Sequence, residues 1–203
     1  IRTEKEYWES IRQQKPRVFI FGERIDNVID HPLIKGSASG AALTFRYAND
    51  PAYQNLFTVH SPLVNERVNR YVSIHNTIED LMDKVKLIRF VGQKTGECAQ
   101  RCMGWDALNA LYSVTFETDQ KYKTPYHERF KKFLTRVQKN DLMVHGTMTD
   151  PRGDRSLKPA QQKDPDLYLR VVEKRKDGIV VRGAKAHQGG ILNHEEFIAM
   201  PSV

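Results

Sequence analysis

Cysteine is scarce in this sequence: only Cys98 and Cys102 occur among its 203 residues. Two cysteines cannot form the disulfide framework on which small secreted domains depend. No apolar run approaches the about 20 residues that a membrane-spanning helix requires. The charged residues 1–6 also lack the apolar segment of a signal peptide. We therefore expect a cytoplasmic protein without a membrane partner.

An excess of positive charge is the clearest compositional bias. Lys and Arg number 32 against 25 Asp and Glu, which gives a formal net charge of +7. One interpretation of this charge is a solvated surface rich in Lys and Arg. The other is a surface that binds an anionic partner such as nucleic acid, a phosphate-bearing cofactor or a thioester carrier. Because the sequence lacks zinc-finger spacing, an RNA-recognition signature and long basic runs, we expect no nucleic-acid partner.

Capping residues and hydrophobic periodicity predict helices in most of the first 140 residues. Thr3, followed by a glutamate three positions later, forms a capping box. Thr77 can cap a helix that carries Leu81, Val85 and Ile88 on one apolar face. Further helices are predicted at residues 39–47, at residues 126–139 and along the segment that contains both cysteines.

The character of the chain changes after residue 140. Residues 167–173 and 179–181 are rich in β-formers, and the dipeptide Asp177-Gly178 between them is typical of a hairpin. Two or three strands are too few to bury a sheet face unaided. We expect a mainly α N-terminal helical domain over residues 1–140. The first part of a middle antiparallel β domain should follow over residues 141–203, truncated in this chain.

The cysteine pair has two open interpretations. Placed on one helix, Cys98 and Cys102 would present their sulfurs on the same face, one turn apart. Two thiolates so arranged can bind a metal or an iron–sulfur cluster but supply only half of a four-ligand site. The alternative is a pair of small buried hydrophobic side chains, since free cysteine is often buried.

Two polar segments could bind an anionic or planar ligand. Residues 149–155 combine backbone amides and a threonine hydroxyl with Arg152 and Arg155. Residues 183–190 combine small residues, which let a planar ring approach the backbone, with Lys185, His187 and Gln188. Each segment is also compatible with an ordinary charged loop or glycine turn. The other histidines show no metal-ligand spacing, and neither a phosphate loop nor a GxGxxG motif is present.

Several stretches, in order, resemble one known family over nearly the whole chain. They are VFIFGE at 18–23, GQKT at 92–95, CAQRCMGWD at 98–106, TDPRGDR at 149–155, QKDPDL at 162–167 and the run from 172 to 188. Together they resemble the 4-hydroxybutyryl-CoA dehydratases within the 4-hydroxyphenylacetate 3-monooxygenase family, which has an acyl-CoA dehydrogenase-like fold. The resemblance implies a helical domain followed by a β domain, an acyl-CoA substrate and a homotetramer.

The resemblance also implies FAD and a 4Fe–4S cluster. Two cluster ligands of the family fall on Cys98 and Cys102, whereas the other two ligands and the catalytic base lie beyond residue 203. The family's FAD contacts fall on Met148, Thr149, Asp150, Asp154, Arg155, Ser156, His187, Gln188, Gly189 and Gly190. Family members often carry threonine where Gly189 stands, so a hydroxyl that tunes the flavin is missing here.

The implied activity is reversible dehydration of 4-hydroxybutyryl-CoA to crotonyl-CoA, with vinylacetyl-CoA Δ-isomerase activity. The C3 proton lost in this reaction is not activated by the thioester, so the family uses a flavin radical mechanism with the cluster as Lewis acid. An alternative in the same family is an FADH2-dependent aromatic 3-hydroxylase. Such enzymes hold a phenol with an arginine and a tyrosine four residues later, where this chain has Arg101 and Trp105.

Overall fold

The computed structural model describes residues 1–201, which form two compact units. Residues 1–145 and 190–197 make up one, called here the helical unit. Residues 146–189 and the segment from Ile198 onward make up the other, called the small unit. The helical unit therefore includes a short segment that follows most of the small unit in sequence. The predicted domain division into residues 1–140 and 141–203 stays a prediction.

Six α-helices lie in the helical unit and confirm its predicted mainly helical character. They are α1 (Glu4–Gln13), α2 (Pro32–Asn49), α3 (Gln54–Phe57), α4 (Ile78–Thr95), α5 (Cys102–Tyr122) and α6 (Tyr126–Asn140). The predicted capping box starts α1: the Thr3 hydroxyl accepts the Glu6 N–H at 3.2 Å, and the Glu6 carboxylate accepts the Thr3 N–H at 2.7 Å. Thr77 caps the start of α4 as predicted, and the structure adds a capping box with Asp80 that was not predicted.

Two helices differ from their predicted form. α2 begins well before residue 39, because the His31 side chain accepts the Leu33 N–H at 3.3 Å and a proline occupies the first turn. On α4, the apolar face predicted around Leu81 and Val85 is largely exposed, and the buried side chains are Leu87 and Val91. The elements that pack against a helix determine which of its faces is buried. The periodicity of the helix sequence does not identify those elements.

The strands among residues 1–201 form four small two-stranded sheets. They are β1 (Val18–Ile20) with β2 (Glu23–Ile25), β3 (Thr58–Ser61) with β4 (Glu66–Asn69), β5 (Val144–Thr147) with β8 (Glu196–Ala199), and β6 (Arg170–Lys174) with β7 (Ile179–Arg182). The antiparallel β6–β7 hairpin confirms the prediction from Asp177-Gly178. The part of the chain that the structure describes also contains three 3₁₀ turns, at Arg70–Val72, Pro159–Gln161 and Ile191–Asn193.

Two clusters of buried side chains form the core of the helical unit. One lies between α1 and α2 and includes Tyr7, Ile11 and Phe45. The other surrounds the start of α5 and includes Leu87 and Trp105. The second cluster also contains Ala99, so the segment between the two cysteines is anchored in the core. Within residues 1–201 no helix is both long enough and apolar enough to cross a membrane.

Candidate functional site

The two cysteines lie side by side, although they do not share a helix. α4 ends at a left-handed cap on Gly96, Cys98 lies in the following loop, and α5 begins at Cys102. Ala99 and Gln100 adopt φ angles of 51° and 58°. This left-handed turn brings the two sulfurs to 3.4 Å. The predicted helix through Cys98 is therefore wrong, whereas the two sulfurs do lie together as expected.

The close contact makes the two thiols unequal. The hydrogen bond from Cys102 lowers the pKa of Cys98 to about 6, with backbone N–H groups adding to an effect that burial partly opposes. The same contact, together with burial, raises the pKa of Cys102. The contact therefore favours ionisation of Cys98 over ionisation of Cys102. Both cysteines are only partly buried, so they are not the fully buried core side chains of the alternative interpretation.

The donor set of this pair fits half of a metal or cluster site. Thiolates are the usual ligands of iron–sulfur clusters and bind metals in the deprotonated form, which Cys98 reaches readily. No group of three or more His, Cys, Asp or Glu side chains within the described part of the chain could hold a metal ion. A cluster bound at Cys98 and Cys102 therefore requires further ligands from elsewhere.

The second predicted site lies in the small unit and starts with an irregular loop after β5. Asp154 shapes this loop, because its carboxylate accepts the Ser156 N–H at 2.9 Å and the Ser156 hydroxyl at 2.6 Å. These bonds lower the pKa of the Asp154 carboxyl. The neighbouring Arg155 side chain is exposed to solvent and is available to bind an anion.

The predicted turn at residues 185–188 binds directly to this loop. The Ala186 N–H donates to the Thr149 carbonyl at 3.0 Å, and the Gln188 amide donates to the same carbonyl at 3.0 Å. Lys185 Nζ lies 2.7 Å from the Asp150 carboxylate and 3.1 Å from the Met148 carbonyl. Lys185 and Gln188, predicted as ligand donors, therefore connect the two segments in this structure.

A cleft of about 600 Å³ opens where these segments meet. Its walls include four of the ten residues predicted to contact FAD: Thr149, Asp150, Arg155 and His187. Arg152, Tyr168 and backbone around Gly153 complete much of the lining. Cationic guanidinium groups beside an aromatic ring and open backbone suit a ligand with both phosphate and planar ring parts, so the residues present fit a flavin nucleotide.

The other predicted FAD residues have different positions. Met148 and Gly189 are exposed, and Asp154 and Ser156 are engaged in the loop turn. Gly190 belongs to the helical unit, unlike the other nine residues. The structure therefore brings only part of the predicted set to one cleft.

Sequence reasoning missed Gln162 as a residue that holds the loop. Its side-chain oxygen accepts the Asp154 N–H at 3.0 Å, and its amide donates to the carbonyls of Asp154 at 2.8 Å and Leu157 at 3.2 Å. Gln162 is buried at 9% exposure. A glutamine within the polar stretch QQKD gave no local sign of burial, so only its contacts in the folded loop reveal the role.

The arginine and tryptophan considered for phenol binding are both buried. Arg101 is 2% exposed and its guanidinium stacks on the rings of Phe45 and Tyr71, with centroid distances of 4.6 Å and 4.8 Å. Trp105 is 1% exposed and donates its indole N–H to the Ser73 carbonyl at 2.8 Å. Both side chains are occupied by the protein interior rather than presented to a ligand.

Comparison with known proteins gives a consistent result. The family described as "4-hydroxyphenylacetate 3-hydroxylase N terminal" matches residues 3–203. The chain is 52% identical over 203 residues to the 4-hydroxybutyryl-CoA dehydratase/vinylacetyl-CoA-Δ-isomerase of Clostridium aminobutyricum. It is 27% identical over 208 residues to the oxygenase component of 4-hydroxyphenylacetate 3-monooxygenase of Geobacillus sp.. These alignments include 100% and 99% of this chain but 41% and 40% of the relatives, so the chain spans about two fifths of their length.

Solved structures show the same similarity. An oxygen-tolerant archaeal 4-hydroxybutyryl-CoA dehydratase from N. maritimus superposes with a TM-score of 0.94 at 43% identity, over 100% of this chain and 40% of that one. The oxygenase component of a 4-hydroxyphenylacetate 3-monooxygenase, solved in complex with FAD, superposes with a TM-score of 0.71 at 25% identity over 91% of this chain and 38% of that one. The dehydratase is thus the more similar of the two in both sequence and structure.

Proposed function

The chain belongs to the 4-hydroxyphenylacetate 3-hydroxylase family, and on that premise we propose that its protein reversibly dehydrates 4-hydroxybutyryl-CoA to crotonyl-CoA and isomerises vinylacetyl-CoA. The observation that carries the proposal is the contact between Cys98 and Cys102, with sulfurs 3.4 Å apart and one thiol acidified. A flavin hydroxylase has no use for two adjacent thiols. A dehydratase that must remove a hydroxyl group remote from the thioester does have a use for a metal cluster.

The aromatic hydroxylase is the second candidate, and the geometry disfavours it. Phenol binding would require Arg101 and the side chain at position 105 to reach a ligand. Arg101 is instead enclosed by aromatic rings, and Trp105 donates its only polar hydrogen to the Ser73 carbonyl. Neither group is left to recognise a phenol hydroxyl, a contact on which discrimination against other substrates would depend.

In the proposed enzyme Cys98 and Cys102 hold one side of a 4Fe–4S cluster. Both thiols would be bound as thiolates, and the lowered pKa of Cys98 would favour that form at neutral pH. The remaining ligands and the catalytic base come from other parts of the protein.

The cleft of the small unit holds FAD in this proposal. Arg155 would be available to a phosphate group, and Thr149 and His187 would line the bound ligand. Gln188, Lys185 and Gln162 keep the walls of the cleft in place. Met148, Asp150, Asp154, Ser156, Gly189 and Gly190 complete the proposed FAD contacts. At position 189 only a backbone N–H is offered to the flavin, because glycine has no side chain.

The cofactors supply the chemistry that side chains cannot: when bound, the flavin provides one-electron transfer and the cluster provides a Lewis acid for the leaving hydroxyl. The chain's own residues bind and orient these groups and restrict the access of water. The assembly proposed from the family is a cytoplasmic homotetramer with an acyl-CoA substrate.

The test is to purify the intact protein without oxygen and measure iron, acid-labile sulfide, FAD and dehydratase activity. We expect Cys98→Ala and Cys102→Ala each to lower iron content and to abolish dehydration. Met103→Ala is the matched control, because it removes an exposed sulfur-containing side chain adjacent to the pair. Full iron content and full activity in either cysteine variant would refute the assignment.

A further inference from the structure

Gln100, the residue at the centre of the cysteine loop, is fixed from several sides. Its side-chain oxygen accepts the Ser37 hydroxyl at 2.8 Å and lies 3.4 Å from the amide nitrogen of Asn193. Its carbonyl oxygen lies 3.1 Å from Nε2 of His194. Its own N–H is directed to the Cys98 sulfur. One side chain and its peptide groups thus connect the thiol pair to distant parts of the helical unit.

The partners of Gln100 are themselves held together. Asn193 donates to the Ser37 hydroxyl at 2.7 Å, which closes a triangle of three polar side chains. Asn193 is 1% exposed, and its carbonyl accepts the Tyr7 hydroxyl at 3.1 Å. Ser37 belongs to α2 and Asn193 to the 3₁₀ turn Ile191–Asn193. Two rigid elements, far apart in sequence, therefore define where the Gln100 side chain lies.

Because Gly190 has no side chain, the Gln100 side chain can lie directly against its backbone. A Cβ atom at position 190 would overlap the side-chain oxygen and Cδ of Gln100. Gly190 also has a φ angle of 68°, in the left-handed region that glycine adopts without steric cost. The glycine is required here by a close approach as well as by backbone conformation.

We infer that Ser37 and Asn193 are positioning residues that fix Gln100 and thereby hold Cys98 and Cys102 ready to bind the cluster. Ala99 and Gln100 are left-handed and carry side chains, a conformation that persists only where the surroundings enforce it. The triangle supplies that enforcement. The inference rests on the proposed function, because it gives the thiol pair the role of cluster ligands.

The experiment follows cluster retention in the anaerobic, intact holoenzyme. Iron and acid-labile sulfide are measured per chain, together with the rate at which a chelator removes iron, FAD content and the melting temperature. We expect Ser37→Ala to release iron about tenfold faster, the effect typical of removing a partner that orients a metal ligand. Ser37→Thr, which keeps the hydroxyl, should restore slow release. Ser39→Ala is the control, because this exposed serine on the same helix bonds only to the Lys35 carbonyl of its own helix.

A second pair of variants decides the matter if Ser37→Ala does not fold. Gly190→Ala should accelerate iron release by displacing Gln100, and its effect should be smaller in a Gln100→Ala background, where the overlap with the side-chain oxygen and Cδ is gone and the backbone strain at position 190 remains. Release rates unchanged in Ser37→Ala, or an effect of Gly190→Ala that is equally large without Gln100, would overturn the inference while iron in the parent protein upholds the proposed function. A parent protein without iron would overturn both.

Discussion

Arg101 and Asp141 form an ion pair in the interior of the helical unit, with the guanidinium Nη2 3.5 Å from the carboxylate Oδ1. The side chains are 2% and 1% exposed. Asp141 caps the end of α6, and Arg101 directly precedes α5. The pair therefore joins the segment between the cysteines to the end of another helix.

The first prediction concerns this ion pair. Asp141→Asn keeps the side-chain shape and tolerates the left-handed backbone, but it leaves the Arg101 charge buried without a carboxylate. Removing one partner of a buried pair should lower the free energy of unfolding by about 3 kcal/mol. Urea denaturation measures the loss. Asp26→Asn is the control, because its contact with Arg24 is exposed and should contribute less than about 1 kcal/mol. Equal effects of the two substitutions would contradict the buried role of Asp141.

The second prediction concerns the pH dependence of stability through His194. Burial of this fully enclosed ring lowers the pKa of His194 from 6.5 to about 4, and His145 and Arg101 act in the same direction. Hydrogen bonds to the carbonyls of Gly190 and Gln100 favour the charged form but are outweighed. Between pH 4 and pH 6.5 the folded state therefore binds fewer protons than the unfolded state. The stability that comes from keeping His194 neutral is fully present above pH 6.5.

This stabilisation should disappear as the pH falls from about 6.5 to about 4, and it amounts to about 3 kcal/mol. Free energies of unfolding measured across this range should fall less steeply in His194→Gln than in the parent protein. His60→Gln, which replaces an exposed histidine, should retain the parent slope. Parallel curves for His194→Gln and the parent protein would show that His194 does not carry the effect.

The third prediction concerns two glycines with opposite surroundings. A Cβ on Gly104, in α5, would overlap the carbonyl group of Val144, so Gly104→Ala must push backbone apart and should destabilise the fold by about 1–3 kcal/mol. Gly92 lies in α4, and the nearest atom to its added Cβ is 3.9 Å away. Gly92→Ala should therefore stabilise the fold by about 0.5–1 kcal/mol through helix propensity. Thermal denaturation compares them, and a neutral Gly104→Ala would disprove the close approach.

The fourth prediction concerns the loop that Gln162 holds. Gln162→Leu fills the same space but leaves the Asp154 N–H and the Leu157 carbonyl without this partner and removes one of the two bonds to the Asp154 carbonyl, so the loop should lose its fixed shape. If the loop binds FAD, the dissociation constant should rise about tenfold, which corresponds to roughly 1.4 kcal/mol. Flavin fluorescence titration measures it. Gln13→Leu makes the same substitution at an exposed position outside this loop and should leave the affinity within about twofold. Unchanged affinity in Gln162→Leu would exclude a role of the loop in flavin binding.

Local signals in the sequence predicted the parts of the fold that depend on neighbouring residues. The capping box at Thr3, the helix cap at Thr77 and the hairpin at Asp177-Gly178 were confirmed, because each depends on bonds between residues a few positions apart. The helix expected through Cys98 was wrong. Gly96 ends α4, and the left-handed turn that follows is imposed by contacts with distant segments.

The sequence by itself determined which functional groups this protein has, namely one pair of thiols and two polar loops, and that a helical part precedes a β-rich part. The tertiary structure alone decided how these are arranged. The 3.4 Å contact between the sulfurs and the bonds of Gln162 connect residues only a few positions apart, but only the folded backbone brings them together. The burial of Arg101 and Trp105 and the bonds of Gln100 to Ser37 and Asn193 involve residues far apart in the chain. Such contacts depend on how helices and turns pack together, and packing geometry is not encoded in any short stretch of sequence.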